Sequence, residues 1–194
     1  MPEGSLAVTF DDGPHPEGTP AILDALDALG WPATFFVLGS AAQAYPDVVQ
    51  ETVRRGHTVG VHGYDHRYLI ARSPWSQGKD LGKAVDAVTR IAGTEPTWWR
   101  PPYGVLSGPA LWAARRHRVR PLLWSAWARD WETQASPESI VEIATSGRLG
   151  GGTLLLHDSD ITSANGSWQR TLAALPLLAE RVQAAGLQVN PLPG

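Results

Sequence analysis

Thr9-Phe10-Asp11-Asp12-Gly13-Pro14 closes the run Leu6-Ala7-Val8 with two adjacent carboxylates and then stops the chain with Gly-Pro. From Leu6 to Phe10 the run lacks apolar/polar alternation, which suits a parallel strand buried on both faces. The two acids then emerge at the C-terminal end of that strand. In α/β proteins the loops after parallel strands converge at that edge, so ligands and catalytic groups collect there. Neighbouring acids repel each other and hydrate well, so a fold keeps them near its core when a metal ion or a cation compensates. A solvated Asp-Gly-Pro turn is the plainer alternative.

Working outward, strand and helix signals alternate. Ile22, Leu23, Leu26 and Leu29 have helical spacing within Thr19 to Leu29, with Gly30 as the stop. Ala33 to Leu38 predicts a second strand, residues 41–55 a single helix ending at Gly56, and His57 to Val61 a short third strand. Lys79 to Ile91 carries an apolar helical stripe closed by Gly93, and Trp75 falls in the loop before it. Pro96 to Trp99, Pro121 to Ser125, Thr153 to Leu156 and Leu187 to Val189 predict the remaining strands. Helices are expected from Gly108 to about His117, from Pro137 to Ser146 with Ser136 as N-cap, and from Trp168 to Ala185. Gly150-Gly151-Gly152 precedes a strand, so it is a turn rather than a phosphate loop.

Most of these strand ends deliver a titratable group. After the third strand comes His62-Gly63-Tyr64-Asp65-His66, whose histidines share one face if the backbone makes a single helical turn. One carboxylate with two histidines is a three-ligand set that leaves a position for water, the arrangement of catalytic rather than structural zinc. Surface imidazoles are the alternative for the pair. Arg100-Pro101-Pro102-Tyr103-Gly104 follows the fourth strand, and its prolines hold a stiff loop behind Arg100. Core packing is the plain role for Trp98 and Trp99, and a surface salt bridge for Arg100. Asp130-Trp131 and His157-Asp158 follow later strands, and a polar loop from Ser159 to Ser167 is expected to overhang the same edge.

Composition narrows the classes. A chain of 194 residues fits one domain, 1–194, long enough to bury about 70% of its unfolded surface. A net charge of −3 excludes the basic excess of a nucleic-acid binder. The basic run Arg115-Arg116-His117-Arg118-Val119-Arg120 sits at a helix end, where cations suit the macrodipole. There is no cysteine, so thiolate metal sites and disulfides are out. No apolar run approaches the ~20 residues of a membrane span. The first strand starts too early for a signal peptide, which predicts a cytoplasmic protein, or an extracellular or envelope one if a leader has been removed. No feature sets the oligomeric state, and a monomer is the working expectation.

Taken together, Thr9 to Pro14, His62 to His66, Arg100 to Gly104, Asp130-Trp131 and Leu155-Leu156-His157-Asp158 resemble, in order and spacing, the motif series of the polysaccharide deacetylases. This is the NodB-homology domain of carbohydrate esterase family four, and the resemblance covers residues 5–192. It implies a distorted (β/α) barrel of about seven βα units and metal-dependent removal of acetyl groups, usually from N-acetylated amino sugars. It also implies roles: Asp12, His62 and His66 as metal ligands, Asp11 as general base and His157 as general acid. Arg100 would orient Asp11, Asp130 would orient His157, the Tyr103 backbone N–H would meet the oxyanion, and Trp131 and Leu155 would line the acetyl pocket. The expected partner is an acetylated carbohydrate. The expected cofactor is one divalent ion, zinc by its ligands, with cobalt or nickel able to use the same set.

The chain departs from the family pattern at Gly63, where Ser or Thr is common, and at Trp127, where an acid is common. Neither removes a catalytic group, but both leave the substrate groove open. Trp127 and Trp75 each fit either a sugar-stacking surface or plain filling. Two other functions remain at this point, a hydrolase of small linear or cyclic amides on the same barrel and a catalytically silent carbohydrate-binding domain.

Overall fold

A computed structural model describes residues 1–193. Its centre is strand β1, Ser5–Asp11, buried at every position. Parallel neighbours flank it: β2 (Ala33–Val37) on one side and β7 (Gly152–His157) on the other, with β8 (Gln188–Val189) against its first residues. Beyond them lie β3 (Thr58–Val61), β4 (Trp98–Trp99), β5 (Arg120–Pro121) and β6 (Ala126–Trp127). The order β5-β4-β3-β2-β1-β7-β6 is parallel throughout, so all strands end on one edge. The sheet curls into a distorted barrel with helices outside, and the register sets Asp11 beside both Phe36 and His157.

The pleat of β1 divides its residues between two environments. Leu6, Val8 and Phe10 join the main core with Ile22, Leu23 and Leu26 of α1 (Gly18–Leu29), and Phe10 stacks on Phe35 at 5.1 Å. Each such fully buried aliphatic or aromatic side chain stabilises the fold by about 1.5–3 kcal/mol. Thr9 and Asp11 take the other face, where both accept hydrogen bonds from Arg100. A polar face inside the curl is therefore prepared by the strand itself.

The outer layer continues with α2 (Gly39–Ala44), α3 (Pro46–Arg54), α4 (Pro74–Ala92), α5 (Gly108–Arg116), α6 (Pro137–Ser146) and α7 (Ser167–Ala184). Three expected elements, two helices and a strand, differ in the structure. The helix expected over 41–55 is two helices, because Pro46 lacks an N–H and drives Tyr45 out of the helical region to φ −130°. Helix α4 begins at Pro74 rather than Lys79, since Ser73 caps it by accepting from the Ser76 N–H; Trp75 therefore sits in its first turn and not in a loop. The strand expected over Pro121 to Ser125 is cut back to Pro121, the last residue of β5. Strands β5 and β6 are the two ends of the sheet order, and Leu122 to Ser125 bridges them without a ladder. The carbonyls of Leu122 and Leu123 point at the Arg100 guanidinium, each 3.3 Å from a donor nitrogen, so they are unavailable to a neighbouring strand.

Close packing under the site leaves no room at Gly60. A Cβ there would lie 2.9 Å from the Phe36 ring and 3.0 Å from the Trp98 carbonyl. Gly60→Ala is expected to destabilise the protein by about 1–3 kcal/mol, read as a lower urea midpoint. An unchanged midpoint would show that Phe36 and β4 can give way.

Candidate active site

Arg100 leaves β4 into the barrel and is wholly buried. Its Nη1 donates to Asp11 Oδ1 at 2.7 Å and to Thr9 Oγ1 at 2.8 Å, and its planar face lies over the Phe36 ring at 4.2 Å. Burial draws the guanidinium pKa down while Asp11 opposes that shift. The consequence for Asp11 is a fixed carboxylate: Oδ1 is engaged, and Oδ2 is turned toward His62 Nε2, 3.6 Å away.

Side chains of consecutive strand residues normally point to opposite faces. Asp12 breaks that alternation by taking φ 75°, a left-handed conformation that Asp tolerates better than most residues. Asp11 and Asp12 consequently line one cavity. Asp12 Oδ1 lies 3.3 Å from His62 Nε2 and 3.3 Å from His66 Nε2. Its Oδ2 accepts a hydrogen bond from Thr162. Burial favours the protonated acid, but contact with His62 and the nearby His157 and His66 outweigh it, so the carboxyl is held well below the usual carboxylate range.

The two histidines come together without a helical turn. Gly63 at φ 90° and His66 at φ 52° fold the 62–66 loop back on itself, leaving the rings 5.0 Å apart. Gly63 thus serves a backbone conformation that a Ser or Thr would strain. His62 Nδ1 is 2.8 Å from the Arg100 carbonyl; a carbonyl only accepts, so Nδ1 carries a proton and Nε2 is the nitrogen turned to the cavity. Burial lowers both imidazole pKa values, and His66 stays below its ordinary value. For His62 the Asp11 and Asp12 carboxylates prevail and the pKa is raised.

Among the described residues, Asp12, His62 and His66 form a group of ligand atoms all within 4.8 Å of one another. Asp12 Oδ1 is buried, and no side-chain or backbone donor meets it in hydrogen-bond geometry. An oxygen-nitrogen-nitrogen set with an orphaned, ionised carboxylate oxygen at its centre fits a divalent cation.

Across the cavity, His157 ends β7. Its Nδ1 is 2.9 Å from Asp130 Oδ1, while Asp130 Oδ2 accepts from the His157 N–H at 2.7 Å and from Thr171 Oγ1 at 2.8 Å. Burial works against the imidazolium, yet the Asp130 charge and hydrogen bond push the His157 pKa up to about 10. Nε2 faces the cavity, 3.8 Å from Asp12 Oδ2. Base candidate and acid candidate therefore stand side by side in register, each held by a partner of opposite charge.

The cavity measures about 260 Å³ and is lined by Asp11, Asp12, His62, His66, Tyr103, Trp131, Leu155 and His157. Every residue expected to act as ligand, base, acid, oxyanion donor or acetyl-pocket wall lines it except Arg100 and Asp130, which are buried behind it; Trp75 lies exposed outside it. Arg100 is no surface salt bridge, and Trp98 and Trp99 are both core. Tyr103 sits at φ 60° in the turn Pro102–Gly104, its ring 4.6 Å from His66.

Three further lining residues escaped the sequence: Trp124, Thr162 and Ser163. The last two belong to the polar loop expected over this edge, but nothing in that loop's composition marks Thr162 as a partner of Asp12. Asp158 directly follows His157 and is buried. It accepts from Thr19 Oγ1, and a Cβ at Gly13 would overlap its carboxylate. Burial pushes its pKa up to about 7.

Residues 1–122 match the family described as polysaccharide deacetylase. A chitooligosaccharide deacetylase of Azorhizobium caulinodans is 34% identical over 198 residues, covering 98% of this chain and 94% of the relative. A peptidoglycan-N-acetylglucosamine deacetylase of Bacillus cereus is 31% identical over 192 residues, covering 98% of this chain and 68% of the relative. Among solved structures, a family 4 carbohydrate esterase from Streptomyces lividans in complex with acetate superposes with a TM-score of 0.87 at 29% identity, covering 100% of this chain and 95% of that one.

Proposed function

Because this chain belongs to the polysaccharide deacetylase family, we propose that it hydrolyses the acetamide of N-acetylated amino sugars, releasing acetate and a free amine. One observation carries the proposal. Asp11 and His157, paired in register on adjacent strands, flank the Asp12-His62-His66 set, the first held by a buried cation and the second by a buried carboxylate.

Asp12, His62 and His66 would hold a divalent ion, zinc by the character of these ligands and cobalt or nickel by the same set, which would supply a Lewis acid for the carbonyl and lower the pKa of a water from ~15.7 toward ~7. Asp11 takes the proton of the attacking water on Oδ2, since Oδ1 is held by Arg100. Arg100 also sets a counter-charge 2.7 Å from the buried Asp11. The Tyr103 backbone N–H donates to the carbonyl oxygen as it gains charge; such a donor is worth about 3–4 kcal/mol. As water oxygen bonds to carbon and the carbon–nitrogen bond breaks, His157 Nε2 gives its proton to the departing nitrogen. Asp130 holds the imidazolium until that step and the neutral ring afterwards. Trp131 and Leu155 enclose the acetyl methyl.

Incubation with N-acetylglucosamine oligomers tests the proposal: a free amine is expected to appear on the sugar in step with acetate. No acetate from these oligomers, with acetate released from an O-acetylated sugar such as acetylated xylan, would point to ester rather than amide cleavage.

The pH profile tests the acid. With its pKa raised to about 10, His157 is protonated through neutral pH, so the alkaline limb of activity is expected only as pH rises through that value. The stabilisation from this pair is likewise complete below the ordinary imidazole pKa and lost through the same alkaline window. Asp130→Asn removes the charge that opposes burial, and the alkaline limb of kcat is expected to move down by about 1–3 pH units. An unmoved limb would exclude His157 as the proton donor.

A further inference from the structure

The aromatic wall of the cavity continues past the reacting centre. Trp131 packs edge-on against His157 at 5.3 Å, Trp127 packs edge-on against Trp131 at 5.6 Å, and Trp124 stacks on Trp127 at 6.5 Å with 22° between the planes. Trp127 follows the buried Ala126 on β6 and leaves 45% of its surface exposed, so it is a ridge and not filling. On the far side of that ridge is a second depression of about 280 Å³. Trp124 and Trp127 line both hollows, and the remaining wall of the second is Ser125, Ala126, Ile143, Ser146 and Gly147. No ionisable side chain lines it.

We propose that this second depression is a sugar subsite and that Trp127, backed by Trp124, is the stacking platform leading into it. Its occupant is the next residue of a neutral, β-linked N-acetylglucosamine oligomer, an assignment that rests on the deacetylase reading above. The chemistry of the two surfaces matches. A pyranose whose ring substituents are all equatorial presents C–H groups on both faces, and an indole face buries such a surface with little loss of side-chain entropy. A carboxylate-bearing sugar would find no Lys or Arg in either hollow to replace its hydration.

The test compares kcat/KM on N-acetylglucosamine monomer and tetramer for the wild type, Trp127→Ala, Ser146→Phe and Trp112→Ala. Ser146→Phe fills the depression from the end of α6 and leaves the ridge intact; Trp112 is an exposed tryptophan on α5, outside both hollows, and serves as the control. The wild type is expected to favour the tetramer over the monomer by about tenfold, the worth of one well-stacked contact. Trp127→Ala and Ser146→Phe should each lose most of that preference through KM, and Trp112→Ala should keep it. A preference retained in both variants overturns the subsite. Equal losses on monomer and tetramer also overturn it, since Trp127 would then act only by supporting Trp131. Faster turnover of a muramic-acid-containing glycan than of the neutral tetramer would overturn the assignment of a neutral chain. No acetate from any amino sugar with the wild type would instead refute the deacetylase reading itself.

Discussion

Asp11→Asn is expected to keep its metal and lose turnover by about 10²–10⁴-fold, the usual worth of a positioned general base. Asparagine preserves the shape of the carboxylate and one oxygen for Arg100 Nη1, and Asp11 is outside the group of ligand atoms, so the metal set is untouched. What disappears is the basic oxygen turned toward the cavity. The same substitution leaves the buried guanidinium without a counter-charge, which costs about 3–5 kcal/mol when a buried pair is broken. Stability and turnover must therefore be measured together, with kcat taken on protein shown by circular dichroism to be folded and by elemental analysis to hold zinc. A folded, zinc-loaded variant turning over at the wild-type rate would remove Asp11 from the base role.

Asp12→Ala should act one step earlier. It takes away the orphaned oxygen that stands 3.3 Å from both imidazole nitrogens, leaving two ligands where three converge. Zinc affinity is expected to drop beyond about 100-fold, and activity to fall to background, because a neutral methyl also ceases to offset the cation. Thr162 loses its acceptor at the same time, so the Thr162→Val variant is a useful companion; a smaller drop in affinity is expected there, since the ligand atom itself stays in place. Titration of the metal-free proteins with zinc separates the two. Wild-type affinity in Asp12→Ala would move the metal elsewhere in the chain.

The parts of this site that could be read in the sequence are those where a strand signal and a titratable residue touch. Leu6 to Phe10 announces a buried strand by its lack of alternation, and the pleat then delivers Asp11 inward as a matter of geometry. His62, Arg100 and His157 follow strands in the same way. Motif order added the roles that spacing alone left open.

What stayed hidden depends on tertiary contacts or on punctuation overlooked. Pro46 and the Ser73-Pro74 pair do mark helix boundaries in the sequence, and the break after α2 and the early start of α4 follow from them. The missing strand at Leu122 to Ser125 has no such mark. Its apolar composition fits a strand, but a buried guanidinium contributed by residue 100 captures the carbonyls a ladder would need. Gly63 looked like a departure, yet its φ of 90° shows that the loop needs it to bring His66 back over Asp12. Trp124 and Thr162 reach the cavity from a bridge and a loop, where no periodicity indicates which side chains face inward.

Acetate release from an N-acetylglucosamine oligomer, followed before chelation, after chelation and after zinc is restored, shows whether hydrolysis depends on the Asp12-His62-His66 set. Steady release is expected at first, its loss when the metal is removed, and its return with zinc. Release that continues undiminished in the thoroughly chelated protein would contradict that dependence, because Asp11 and His157 alone cannot both activate water and polarise an amide.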